Sequence, residues 1–314
     1  MAAHPKTQPP AAARVMPPAQ GEALPQQDNR SRAWRRFRAH KPALVALVLA
    51  VLLVALAYGA PLVSRYVTHV SPSDQRLLDN FARPSTKHWF GTDEYGRDVL
   101  TRIAYGGRVS LSVALLAVAV ALVVGTLVGT LAAYYGGWID TVLMRFVDLM
   151  LAIPTIFLFI LIGSLVQVGP VVLAVIIALL GWFGLARLVR SEILSVKRRE
   201  YVEAARVIGV SDAAIISRHI LPNILHIIIV WATIAVPGFI LTEAAVSFLG
   251  LGIQPPAPSW GNMLTNATQY FYKSKTLILI PGLFITLTVL AMSLIGDALR
   301  DALDPRLASH SSEG

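Results

Sequence analysis

The sequence predicts an all-α integral membrane protein of about six transmembrane helices, and two observations carry that expectation. Of 314 residues, 55% are hydrophobic and only 14% are charged, where a soluble domain carries roughly 25% charged residues. The charges are also segregated into blocks between long apolar runs, as a chain whose main solvent is lipid requires.

The runs are 42–63, 109–132, 142–166, 171–189, 225–249 and 277–295, each near the ~20 residues a helix needs to cross a bilayer core. The third starts with Arg145 and Asp148, so its apolar part begins near Leu149. Pro154, Pro237 and Pro281 lie inside spans and predict kinks, because neighbouring helices re-satisfy the carbonyls that a proline frees. In the second span Gly125 and Gly129 form a small-xxx-small pair, which admits another backbone closely; a helix of the same chain is the expected neighbour.

Around these spans the organisation follows. Residues 1–38 form a disordered basic tail that cannot bury enough apolar surface to fold. Residues 39–64 hold the first transmembrane helix. Residues 65–108 make an external loop, ending in 95–107 where Arg97, Asp98 and Arg102 alternate with Val99, Leu100 and Ile103, a pattern expected to lie flat at the interface. Residues 109–306 form the transmembrane domain, interrupted by a polar loop at 190–224, and 307–314 are a second disordered tail.

The net charge of +9 does not point to nucleic acid, since the basic residues flank membrane spans instead of forming one wet face. Two thirds of the 27 Lys and Arg residues fall in the N-terminal tail, the 190–224 loop, the C-terminus and adjoining span ends. Both termini and that loop are therefore expected on the cytoplasmic side of the membrane. The absence of cysteine excludes disulfides and thiolate chemistry. No His, Asp or Glu cluster has metal-ligand spacing, no Ser/His/Asp set is discernible, and there is no Gly-Lys pair to build a phosphate-cradling loop. The chain is expected to bind no cofactor and to catalyse nothing.

The 190–224 loop is the informative segment. Residues 191–208 read as a helix, Gly209 as its C-terminal stop, and Ser211 as the N-cap of a second helix opening at Asp212; Pro222 marks the approach to the fifth span. Helix, glycine corner and helix make a rigid elbow. Small residues at Ala204 and Ala205 leave a flat patch, with Glu203, Arg206, Arg199 and Arg218 supplying charge around it.

Here a resemblance enters. Glu203-Ala204-Ala205, three residues, Gly209, then Leu221-Pro222 resembles the EAA loop of ABC importer permeases, departing once, at His219, where that family has isoleucine. Three more segments resemble the C-type permease of dipeptide and oligopeptide importers: Phe90 to Asp98, Ser247 to Pro256 continuing to Ser259-Trp260-Gly261, and Gly296 to Arg306. The likeness runs from about residue 40 to residue 306 and implies the type I ABC importer permease fold. It further implies a paralogous B-type permease, two cytoplasmic ATP-binding subunits that use ATP and Mg, and an extracytoplasmic peptide-binding protein. Glu203, Ala204, Ala205, Arg206, Gly209, Arg218, Leu221 and Pro222 would couple to the ATPases.

Glu243 is the one carboxylate well inside an apolar span, a candidate contact for the pathway or for a partner, set against a structural hydrogen bond near the span's outer end. His226, Trp260, Tyr134, Tyr135 and Trp138 read as interfacial residues; the Asn266-Ala-Thr268 sequon is a chance match. Nickel complexes, glutathione or another small solute fit the same machine. A secondary transporter would show inverted repeats and several intramembrane charges, and a structural or signalling membrane protein would not need the elbow.

Overall fold

The computed structural model of the protein describes Arg38, residues 40–166 and residues 168–303. The two tails expected at 1–38 and 307–314 lie outside these residues, Arg38 apart. Eleven helices carry the argument: α1 (Lys41–Tyr58), α2 (Val99–Tyr135), α3 (Gly137–Ala152), α4 (Thr155–Leu165), α5 (Pro170–Gly181), α6 (Phe183–Val196), α7 (Glu200–Val207), α8 (Asp212–Ile215), α9 (Leu221–Phe248), α10 (Trp260–Ala267) and α11 (Thr276–Leu303). Among the described residues there is no β-strand beyond one isolated bridge, Thr92 to Asp98.

Four stretches are long and apolar enough to cross a bilayer: α1, α2, α11, and α8 to α9 taken as one helix from Asp212 to Phe248. The other two spans are broken. α3 and α4 meet at 87°, α5 and α6 at 44°. Pro154 thus does more than kink its span. Its ring bars the preceding residue from helical geometry, Ile153 is extended (φ −88°, ψ 123°), and a new helix starts at Thr155. Pro237 and Pro281 instead lie inside continuous helices.

The second difference concerns α2. It is one helix of 37 residues, not a span from 109 preceded by a flat interfacial helix. Asp98 explains the early start, because its Oδ1 accepts the Thr101 N–H at 2.8 Å and so caps the helix. Its Oδ2 lies 2.9 Å from Nδ1 of the buried His88. Val99, Leu100, Ile103 and Ala104 are buried in protein. The amphipathic face read from the sequence is real, and its partner is the rest of the chain.

α2 is the hub, packing on α1, α5, α6 and α9. Between apolar helices in lipid the hydrophobic effect gives little, so close backbone approach must supply the attraction. The expectation for Gly125 and Gly129 holds: both face α6, and a Cβ on Gly129 would stand 2.5 Å from the Ala186 carbonyl oxygen and 2.9 Å from the Val189 Cβ. α1 uses the same device against α11, with Ala43 on Ala298 and Ala302, and Ala46 and Ala50 on Ala291. Replacing Gly129 by valine should destabilise the protein by about 1–3 kcal/mol, read as a lowered melting temperature of the purified protein in detergent. An unchanged melting temperature would contradict this packing.

Candidate functional site

The elbow is built in three steps. α6 stops at Val196, and Arg199, extended at ψ 142°, starts α7. The single helix expected over 191–208 is therefore two, broken at Lys197–Arg199. The break has a purpose: it lets the Lys197 ammonium turn back onto the end of α2, where it donates to the Ala133 carbonyl at 3.3 Å and to the Tyr134 carbonyl. A cation on the last carbonyls of a helix meets its negative dipole end. Burial first, and then the neighbouring Arg206 guanidinium, push the Lys197 ammonium down from its ordinary value.

The corner itself is a Schellman motif. The Gly209 N–H donates to the Arg206 carbonyl and the Val210 N–H to the Ala205 carbonyl, at 3.1 and 3.0 Å. Gly209 sits at φ +82°, a conformation costing other residues about 1–2 kcal/mol, as the sequence led one to expect. Ser211 occupies the N-cap position of α8, but its side chain makes no capping bond. The chain then passes through a wider π-type turn, Ile216–Ile220, into α9, with Pro222 in the first turn. The elbow's second arm and the fifth span are one rod.

Tyr134 locks the corner to the hub. Its hydroxyl donates to Oδ1 of Asp212 at 2.5 Å, and the Arg206 guanidinium stands 5.9 Å from its ring centre. It is buried with Val189, Ile193, Val202, Ala205, Ile215 and Ile220. Its expected place at the lipid–water interface is corrected: the ring fills the elbow's core. Tyr135 and Trp138 do remain exposed.

The residues expected to couple to the ATPases separate into two groups. Ala205 is buried and Leu221 partly buried in the elbow core, while Gly209 and Pro222 shape the backbone. Glu203, Ala204, Arg206 and Arg218 are exposed. Ala205 therefore supports the patch from beneath. Val207 and Ile208 complete the outer face at 86% and 79% exposure. With Glu200, Glu203 and Ala204 they follow the three- and four-residue spacing of one helix face. The flat patch read from the sequence held neither Val207 nor Ile208; the spacing from Ala204 was the available signal.

At the other end of α9, Glu243 is fully buried and accepts a hydrogen bond from Ser247 Oγ at 2.8 Å. The same Oγ accepts the Ile253 N–H, Ser110 Oγ accepts the Trp260 N–H, and the Trp260 indole donates to the Ile103 carbonyl at 3.0 Å. Trp260 is thus a core residue, not an interfacial anchor, and a Cβ on Gly107 would lie 2.6 Å from its ring. Glu243 is enclosed by its own chain, its Oε1 held by Ser247 while its buried Oε2 has no hydrogen-bond partner among the described residues. His226 is partly buried beside Asn223 and Arg300. The Asn266 side chain lies outside the description.

Substituting phenylalanine for Tyr134 keeps the ring and removes the hydroxyl, leaving Asp212 without its donor. The expected loss is about 1–2 kcal/mol, with faster amide exchange over 197–215 as the readout. Exchange unchanged there would sink the lock.

Comparison with known proteins agrees with this geometry. The family described as binding-protein-dependent transport system inner membrane component matches residues 125–309, and the N-terminal TM domain of oligopeptide transport permease C matches residues 30–84. The chain is 43% identical to the dipeptide transport system permease protein DppC of Alkalihalophilus pseudofirmus, covering 88% of this chain and 90% of that protein. It is 40% identical to the oligopeptide transport system permease protein OppC of Escherichia coli K12 (87% and 90% covered) and to the glutathione transport system permease protein GsiD of Pectobacterium atrosepticum (88% and 91%). The chain belongs to the family of binding-protein-dependent transport system inner membrane components, with the type I ABC importer permease fold.

Proposed function

We propose that this chain is one permease subunit of an ATP-driven importer of short peptides, and that α7 and its corner seat against a nucleotide-driven ATPase subunit. The observation that carries this reading is the outer face of α7. Val207 and Ile208 are large, apolar and almost wholly exposed, on a segment too polar to enter lipid. Burying both under a partner contributes about 3–6 kcal/mol, and Glu203 beside them supplies a charge to fix the register.

The rest of the assembly follows from the family. A paralogous permease forms the other half of the pathway, two ATP-binding subunits carry the ATP and Mg, and an external binding protein delivers the cargo. ATP hydrolysis belongs to those subunits. The elbow faces the cytosol, as do both termini, in accord with the basic residues of 190–224. The names of the relatives support peptides as cargo. One of them is a glutathione permease, which keeps that tripeptide-like solute as a second reading of the same machine.

Mechanically, closure of the ATPases moves the elbow, and the elbow moves α9. The partner must bind the two arrangements of the permease unequally, or nothing is transmitted. Changing Glu203 to lysine should abolish ATP-dependent peptide uptake, while the subunit stays at normal abundance in the membrane. Normal uptake at normal abundance would remove the elbow from the coupling path.

A further inference from the structure

At the elbow end of the spans, α3 and α6 enclose a cleft of about 480 Å³ lined by Asp140, Thr141, Met144, Arg145, Asp148, Arg187 and Arg190. Five of these seven side chains are ionisable. Arg190 grips Asp140 through two bonds, Nε to Oδ1 at 2.5 Å and a terminal nitrogen to Oδ2 at 2.6 Å. Arg187 pairs with Asp148. Arg145 is exposed and has no ion-pair partner among the described residues. The cleft therefore holds one guanidinium in excess.

Position makes this informative. Asp148 lies eleven residues along α3 from Gly137, about 16 Å at 1.5 Å per residue, and the Arg187 and Asp148 side chains are still 50% and 47% exposed. Charged side chains on a helix that leads into a span face protein or water, because lipid cannot solvate them. Their own chain leaves them open, so the cleft opens onto water or onto the second permease. A planar guanidinium between two satisfied ion pairs has the fork geometry to take a carboxylate through two bonds. The net positive charge of three guanidiniums against two carboxylates disfavours a positively charged amino terminus.

We infer that this cleft is an aqueous vestibule of the pathway in which Arg145 receives the C-terminal carboxylate of the departing peptide. The inference rests on the importer reading and adds to it a site and a chemical group. Transient capture, not tight binding, is what such a site supplies: the flanking Asp140 and Asp148 offset part of the attraction, so release remains fast.

The chain has no cysteine, so Thr141→Cys places a single thiol in the cleft, read on this subunit alone within the assembled transporter in proteoliposomes. A sulfonate-bearing thiol reagent should label it roughly tenfold faster than its quaternary-ammonium counterpart, after correction for their rates with a free thiol. Adding Arg145→Gln should erase the bias. A tripeptide should slow the sulfonate reagent, and the same tripeptide with a C-terminal amide should not. Absence of labelling would mean that the second permease or lipid fills the cleft, and would overturn the inference. So would labelling blind to charge, or slowed equally by the amide. Peptide uptake by the Thr141→Cys transporter is measured alongside: uptake with charge-blind labelling removes the carboxylate site and leaves the importer standing, whereas a parent complex that moves no peptide removes both.

Discussion

The bond from the Tyr134 hydroxyl to the Asp212 carboxylate, 2.5 Å long, joins the end of the most widely packed helix to the start of the elbow's second arm. Three further contacts surround it: Lys197 on the last carbonyls of α2, Arg206 beside the Tyr134 ring, and the buried Ala205 behind it. Without them α7 would hang from the membrane on a broken linker at Lys197–Arg199. With them it moves only when α2 and α9 move. That constraint is what lets an exposed apolar face act as a lever in the proposed coupling.

The lever is long. From Asp212 to Phe248 the chain is one helical run of 37 residues, about 55 Å at 1.5 Å per residue. Its far end carries Glu243 and Ser247, which tether the loop leading to Trp260 through the Ile253 N–H. Trp260 in turn is fastened to α2 through the Ile103 carbonyl and Ser110. α2 and α9 are thus clamped together at both ends, at Tyr134–Asp212 and at the Trp260–Ser247 cluster. Between the clamps the helical run is continuous, through the π-type turn at Ile216–Ile220 and past Pro237.

Local chemistry was legible in the sequence wherever one residue type suffices for a conformation. Gly209 stops a helix because it alone sits easily at positive φ, and Gly125 and Gly129 admit a neighbour because they lack a Cβ. What was not legible depends on partners far along the chain. Trp260 and Ile103 are 157 residues apart, so an aromatic after a proline-rich turn reads equally as a lipid anchor or as a core residue. The alternating charges and aliphatics of 95–107 specify an amphipathic helix, yet they do not say whether its apolar side meets lipid or protein. The same limit applies to the three prolines: each frees a carbonyl, and tertiary packing decides that the chain breaks at Pro154 and runs on at Pro237. Within the 190–224 loop, pattern alone placed Ala205 on the flat patch, where its burial makes it a support; Val207 and Ile208, beside the glycine, were overlooked.

The most direct test of the lever is a crosslink from its outer face. Val207→Cys, in a chain with no other cysteine, is introduced into native membranes and treated with a short thiol crosslinker, with and without nucleotide. The account predicts a covalent adduct with an ATP-binding subunit, its yield changing as nucleotide binds and is hydrolysed. A thiol that reacts only from the external side, or that never joins such a subunit although the protein is present and folded, would contradict it.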